Sequence, residues 1–412
     1  MGATGRPERP SSPARSSPSA VRAQNLSAVL RRVHQTGGVR QAELSEWLGV
    51  NRSTVPSLVE ELADHGLVRE LSDVPMGRRG RPSPLILPAE GIVVLSAEFA
   101  ADRGRIDVVG LGGKLVATRN LDASPARLGP EETMRLAVAG LAAMTRRAAP
   151  AMVVGVGVAV HGVVDHDGLV CLAPNLGWEG TELARFGRLV ADRVPAAGSA
   201  NLVYGNDANL GALGEHRRGA GAGVGDLVYL SAERGVGGGV IAGGELVVGA
   251  SGLAGEVGHM KLGSSDAVCG CGQRGCWETD IGAAAIVRRA GRGTGTIEQV
   301  VERAGAGGGR AMAAIEEAAA HLGWGLGSLV SMLQPARVVL GGHLAAVFGL
   351  AGPAVMAALG RAAPAALARQ VEVRPGLLGP DAASVGAAEL AFEPLLADPL
   401  VSIEADRPAW VT

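Results

Sequence analysis

Near the N-terminus apolar residues recur at helical spacing: Leu26, Val29, Leu30 and Val33 lie three and four positions apart, and Gly37-Gly38 ends the series. The pattern predicts a helix beginning about Val21. A second helix is expected over 41–48. Then comes a tight turn, Gly49-Val50-Asn51, from which Asn51 can cap a third helix over 52–65 with Val55, Leu58, Val59 and Leu62 facing inward. Gly66 closes that helix, 67–71 and 84–87 read as strands, and 75–80 reads as the tip between them. Helices followed by such a hairpin have the order of a winged helix-turn-helix, an α+β module. One local conflict stands in the pattern. Pro56 would be the fifth residue of a helix starting at 52, forfeiting a backbone hydrogen bond, so the helix starts later or bends.

Beyond Gly91 the cadence changes to short apolar strands and glycine turns. GIVVLSAEFA (91–100) is followed by RIDVVGLGGKLVATR (105–119), which Gly112-Gly113 divides into a hairpin. An amphipathic helix over about 130–147 and a buried strand AMVVGVGVAV (151–160) come next. VDHDG (164–168), between apolar runs, reads as a hairpin turn rather than a metal site. The same strand, hairpin and helix cadence returns at 226–250, so two similar halves follow one another and a two-lobed cleft is expected. RVVLGGHL (337–344) between alanine-rich helices completes an α/β body. The expected division is a disordered Pro/Ser/Arg tail at 1–20, the winged module at 21–88, the α/β body at 89–398 and a C-terminal tail at 399–412.

Composition sharpens this in two respects. Aromatic residues are only 3% of a chain that is 47% apolar, so alanine, valine, leucine and glycine must do the packing, with close backbone contact at glycine. Residues 1–85 carry twelve arginines against eight acids, an excess of four positives in a chain of net charge −2, which leaves −6 for the remainder. That asymmetry suits a DNA-binding N-terminal part on an acidic body. Arg52, Ser53, Thr54 and Ser57 occupy the start of the third helix, where base edges are read. GRRGRP (77–82) sets Arg78, Arg79 and Arg81 on a thin backbone suited to phosphates or a narrow minor groove. Double-stranded DNA is the expected partner. No signal-peptide core and no apolar run of membrane length is read from the chain, and a cytoplasmic location is expected.

Three of the four cysteines fall within CGCGQRGCWE (269–278), ten positions after the histidine of GEVGHM (255–260). Cys171 stands alone, as a small apolar residue would. A disulfide, a redox switch and a metal site with His259 all compete, and scarce, clustered cysteines favour the last two. These stretches, together with GNDANLGALGE (205–215), GVGGGV (235–240), APNLGW (173–178) and LQPARVVLGG (333–342), resemble the ROK family of bacterial repressors and sugar kinases. The likeness spans nearly the whole chain from about Val21, and the N-terminal module is similar to that of the repressor branch.

The resemblance implies a two-lobed actin/hexokinase-like ATPase fold. Cys-x-Cys spacing disfavours a mutual disulfide, whereas Cys269 and Cys271 can share one ion with Cys276, and His259 completes a closed Cys3His site suited to one structural zinc per chain. Redox sensing stays as the other reading of these thiols. The resemblance further implies a sugar held by Asn206, Asp207, Glu256, His259 and Glu278, with Asn175 as a further candidate and His259 turning one nitrogen to the metal and one to the cleft. A kinase of the family would use the aspartate at 207 as its base. Its first phosphate loop, Asp-x-Gly-Gly-Thr, falls here on Glu98-Phe99-Ala100-Ala101-Asp102, and Arg234 takes a threonine position in the second. The expectation is therefore a sugar-responsive repressor without enzymatic activity, a bifunctional sugar kinase that phosphorylates a hexose with ATP being the alternative. A sugar or sugar phosphate would be the effector, and a homodimer or homotetramer would read a pseudopalindromic operator.

Overall fold

The computed structural model describes residues 18–51, 53–71, 83–198, 200–263, 266–291, 293 and 295–400. The chain forms two compact units, Met1–Ala89 with Pro394–Thr412, and Glu90–Glu393.

The first unit contains α1 (Pro18–Thr36), β1 (Val39–Arg40), α2 (Gln41–Leu48), α3 (Thr54–Asp64), β2 (Val68–Leu71) and β3 (Leu85–Pro88). The predicted apolar stripes meet in its core: Leu26, Val29, Leu30 and Val33 of α1 are buried, as are Val55, Leu58, Val59 and Leu62 of α3. Gly37, Gly49 and Gly66 all have left-handed φ, near 70°, at the three helix ends. The third helix starts at Thr54, later than expected, and Asn51 does not cap it with its side chain; its carbonyl accepts from the Thr54 N–H (2.9 Å) instead. Pro56 thus falls in the first helical turn, where no intrahelical acceptor awaits its missing N–H, and the conflict disappears. An antiparallel sheet of order β1-β3-β2 follows, with Val39 opposite Ile86. The two-residue β1 is too short to show in an alternation pattern. Leu395 and Leu396 are buried, and Ser27 donates to the Leu396 carbonyl (2.7 Å), which accounts for the C-terminal residues grouping here. Arg52, Arg78, Arg79 and Arg81 lie outside the described residues.

The second unit builds one topology twice. β4 (Ile92–Phe99), β5 (Gly104–Gly110) and β6 (Lys114–Asn120) run antiparallel; after α4 (Pro125–Ala148), β7 (Met152–Val160) pairs in parallel with β4. β8 (Val163–Val164), β9 (Leu169–Leu172) and β10 (Thr181–Glu182) form a small separate sheet, and the Asp165 carboxylate accepts from the Asp167 and Leu169 amides in the turn expected there. α5 (Ala184–Arg193) leads to β11 (Asn201–Asn206), which completes the order β11-β7-β4-β5-β6. After α6 (Asp207–Arg218) the plan repeats with β12 (Leu227–Ala232), β13 (Val236–Ala242) and β14 (Glu245–Leu246). Then come α7 (Glu278–Ile281), α8 (Ala283–Ala290), α9 (Ile297–Gly305), α10 (Gly309–Leu333), β15 (Arg337–Gly341), α11 (Gly342–Ala362), α12 (Ala365–Ala368), β16 (Glu372–Pro375) and α13 (Ala382–Ala397). The second sheet has order β14-β13-β12-β15-β16, again a three-stranded antiparallel meander continued by two parallel strands.

Small residues do the packing, as the composition requires. A Cβ on Gly155 or Gly157 of β7 would lie 2.4 or 2.2 Å from the carbonyls of Ala391 and Ala387, so α13 sits directly on the strand backbone. Aromatic packing concentrates at Phe99, whose ring meets Trp178 (5.6 Å between centroids) and Phe186 (5.7 Å). The segment His343–Ala362 of α11 is apolar and long enough to cross a bilayer by composition, contrary to the expectation that no such run exists. Its Leu344, Val347, Val355 and Leu359 are buried in the core with Leu322, Leu326 and Val330 of α10.

Candidate functional site

The loop after β14 turns sharply because glycine permits it. Gly255 has φ +100°, and a Cβ on Gly258 would lie 2.2 Å from the Val236 carbonyl. The short 3-10 turn Val257–His259 thereby presses onto β13 and points His259 at the cysteines. The ligand atoms of His259, Cys269, Cys271 and Cys276 all lie within 4.8 Å of one another. Cys269 Sγ is 3.6 Å from His259 Nδ1, and Cys271 Sγ is 3.7 Å from Cys276 Sγ. Ligands on one tetrahedral zinc at ordinary bond lengths would be separated by about 3.6 Å (S to N) and about 3.8 Å (S to S). All cysteines are free thiols, so the disulfide reading fails, and the cluster can hold a metal ion. Gly272 (φ 83°) and Gly275 (φ 72°) turn the loop, and Trp277 then anchors it: its ring is 1% exposed and its Nε1 donates to the His321 carbonyl of α10 (3.0 Å). Burial of that side chain contributes on the order of 3 kcal/mol to holding the loop in place.

Carboxylates flank the cluster. His259 Nε2, the nitrogen turned away from Cys269, is 3.7 Å from Glu256. Glu278 accepts from the Val236 amide (2.9 Å) through one oxygen and lies 3.4 Å from Cys269 Sγ through the other. Burial raises the Glu256 carboxyl above its ordinary range; His259 opposes this, while the charges of Asp207 and Glu278 add to it. Glu256, Asp207 and Glu278 therefore share one electrostatic environment.

Asp207 is the first residue of α6. Asn206 before it is a complete helix cap: its Oδ1 accepts from the Ala208 and Asn209 amides (2.8 and 3.1 Å), while its Nδ2 donates to the Gly162 carbonyl (2.9 Å) and to Asp207 (3.0 Å). Its amide bonds are filled within the chain, and through them Asn206 orients Asp207. Asn175 is exposed in the 173–178 turn, and no hydrogen bond joins it to the other candidates.

Asp207 also has a partner that the sequence reading missed. His161, at the end of β7, sets Nδ1 3.6 Å from Asp207 and Nε2 3.0 Å from Glu98. Glu98 has a 2% exposed side chain and accepts in turn from Arg103 (3.1 Å). Burial alone would depress the His161 imidazole, but Asp207 and Glu98 overcome it and hold it up to about 9. Burial raises Asp207, with His161 opposing, whereas in Glu98 burial is outweighed by His161 and Arg103 together, and the carboxyl is lowered. These groups line a polar pocket with Ser231 and Glu233. A signal for the pair existed: Glu98 is the one charged residue in the buried strand IVVLSAEF, and such a group needs a counter-charge.

The remaining motif residues fall on packing surfaces and turns. Gly237 and Gly239 let β13 meet α6, their added Cβ atoms lying 2.7 and 2.5 Å from the methyls of Ala208 and Ala212. Arg234 stands at the β12–β13 turn, 3.9 Å from Asp102. Ala100 and Ala101 are buried, the Ala100 N–H donates to the Arg103 carbonyl (2.9 Å), and the Ala101 carbonyl accepts from Ser124 (2.6 Å). In the first unit Ser53 and Ser57 are exposed at the start of α3, and Ser57 donates to the Thr54 carbonyl (3.2 Å).

A twice-repeated meander-plus-parallel sheet, with a polar site running from His161 past Asp207 to a His/Cys3 cluster, defines an actin/hexokinase-like α/β body. The ROK family model matches residues 98–393, and the chain belongs to the ROK family. The xylose repressor of Bacillus spizizenii is 24% identical over 382 residues, covering 91% of this chain and 97% of that protein. A solved ROK family transcriptional regulator, a homologue of the E. coli MLC protein, superposes with a TM-score of 0.76 at 19% identity, covering 93% of this chain and 99% of its own, a likeness of fold. A ROK family glucokinase from Streptomyces griseus, in complex with glucose and AMPPNP, matches with a TM-score of 0.59 at 28% identity, covering 73% and 99%.

Proposed function

We propose that this protein is a sugar-responsive transcription repressor. The observation that carries the reading is the extent of the match to a xylose repressor, which takes in 91% of this chain and so cannot be confined to the ROK body. Exposed Ser53 and Ser57 at the start of α3, with Arg52 before them in sequence, would face the bases of double-stranded DNA, and Arg78, Arg79 and Arg81 of the GRRGRP stretch would meet phosphates or the minor groove. The sugar would lie against Asp207, Glu256, Glu278 and the Nε2 side of His259, carboxylates accepting from hydroxyl groups. Zinc at His259, Cys269, Cys271 and Cys276 would fix the loop that carries Glu256 and Glu278, a closed site with a structural role. Coupling follows if the sugar prefers one arrangement of a symmetric dimer that reads two half-sites.

A sugar kinase is the second reading, favoured by the likeness to a glucokinase and by the retained Asp207. Against it, Asp207 is already paired with a histidine cation, and alanines replace the glycines that would let backbone amides approach a phosphate. The test is paired: binding of the purified zinc-loaded protein to DNA from its own promoter region over a sugar titration, and ATP turnover over the same sugars. Sugar-shifted DNA affinity without ADP release is expected. ADP release that depends on sugar, with DNA affinity unmoved, would favour the kinase.

A further inference from the structure

The segment after His259 folds back along the cysteine loop. The Trp277 N–H donates to the Met260 carbonyl (2.9 Å) and the Gly263 N–H to the Gly275 carbonyl (3.0 Å), so Lys261 is held between two backbone bonds, alongside Cys276. Glycine permits the close approach: a Cβ on Gly263 would lie 2.7 Å from the Cys276 carbonyl. From this position Lys261 Nζ reaches two acceptors on the loop, the Arg274 carbonyl (2.7 Å) and Cys276 Sγ (3.5 Å). An ammonium has several N–H donors, so both bonds form at once.

Among the described residues each sulfur of the cluster meets an N–H donor. The Cys271 amide serves Cys269 and the Gln273 amide serves Cys271, in both cases from the backbone just ahead in the chain. Cys276 differs. Its donor is a side chain, Lys261, which lies 15 residues earlier in sequence and is exposed, whereas Cys276 itself is fully buried. A donor behind a metal ligand fixes the ligand's orientation and tunes its basicity, and removing such a partner costs roughly ten- to a hundredfold in metal affinity. Backbone donors survive any exchange of side chains. The donor to Cys276 does not.

We propose that Lys261 is a positioning residue of the metal site, and that its N–H to Cys276 Sγ sets how tightly the site holds its ion. The inference rests on the zinc reading of His259, Cys269, Cys271 and Cys276 and deepens it. Without the Nζ donor, Cys276 loses its hydrogen-bond partner, and the segment that carries His259 loses its side-chain tie to the loop that carries the cysteines.

The test is zinc and cobalt binding by the full-length protein and two variants, Lys261→Met, which keeps an unbranched stem and removes the donor, and Lys261→Arg, which keeps a donor. Competition with a chromophoric chelator measures zinc affinity, and cobalt in place of zinc reports on the sulfurs through its thiolate-to-metal charge-transfer band. Lys261→Met is expected to bind zinc roughly ten- to a hundredfold more weakly than the wild type, and Lys261→Arg to stay within about threefold of it. The cobalt band of Lys261→Met should move to longer wavelength, because a sulfur that has lost an N–H gives up electron density more readily. A lysine that did no more than tie the Arg274 carbonyl would leave the band in place. Equal zinc affinity in Lys261→Met and the wild type overturns the inference and leaves the zinc site intact. Weaker zinc binding with an unmoved band overturns the bond to sulfur as the cause. Wild-type protein that takes up neither zinc nor cobalt overturns the metal reading itself, and this inference with it.

Discussion

The two ends of the Asp207 site treat their carboxylates in opposite ways. At the metal end Glu256 is 40% exposed, and among the described residues its one charged partner is the neighbouring imidazole at 3.7 Å. At the other end Glu98 and Asp207 close around His161, and Arg103 completes a continuous chain of charge. The difference separates recognition from transfer chemistry. Open acceptors beside a rigid loop suit a polyhydroxyl ligand, whereas a carboxylate already paired with a cation makes a poor base and a poor neighbour for a nucleotide phosphate. The same fold repeat supports both ends, so the specialisation lies in side chains and not in architecture.

The largest break in this comparison comes from the metal end. Cys276→Ser is expected to abolish bound zinc and to cost on the order of 4 kcal/mol or more, because Cys276 is fully buried and an ion there would tie His259 to all three cysteines of the loop. Metal content and thermal unfolding measured together check this; full zinc content in the variant would remove Cys276 from the cluster. Next in size is Glu256→Gln, which keeps volume but turns an acceptor into a donor. A hydroxyl losing that acceptor costs about 1–3 kcal/mol, so the sugar response should move to concentrations roughly ten- to a hundredfold higher at normal zinc content. An unmoved response would place Glu256 outside the site.

The His161 end gives a pH signature. The folded imidazole is held up to about 9, above its ordinary 6.5, so its contribution to stability is complete below pH 6.5 and is lost as pH rises to about 9. The stability gap between the wild type and His161→Gln should therefore shrink steadily across that window, as chemical denaturation at stepped pH would measure. A gap independent of pH would mean that His161 is not held as a cation. The smallest expected effect is a null: Ala100→Gly with Ala101→Gly and Asp102→Thr should yield no sugar-dependent ATP turnover while His161 still occupies Asp207. Turnover in that variant would show that the loop alone had disabled transfer.

Much of this was legible in the residues, for definable reasons. The stripes of α1 and α3 and the repeated strand-hairpin cadence report burial directly, and periodicity records burial. The His/Cys3 cluster was legible because three close cysteines and a histidine ten residues before them carry chemistry that few other arrangements explain. The cap at Asn206 was not legible because a helix cap and a ligand contact use the same amide, and the four bonds it makes are seen only in the fold. His161 was missed because a single histidine at a strand end has no period and its partner Glu98 lies 63 residues earlier. α11 shows the opposite failure: composition alone cannot tell a bilayer from a neighbouring core helix.

The most direct measurement is fluorescence anisotropy of a labelled fragment of the protein's own promoter region, titrated with zinc-loaded protein in the presence and absence of sugar and without any nucleotide. Saturable binding that the sugar shifts by tenfold or more, roughly 1.4 kcal/mol of coupling, is the expected result. Sugar that binds the protein yet leaves its DNA affinity unchanged would contradict the claim that the cleft governs the DNA-binding unit.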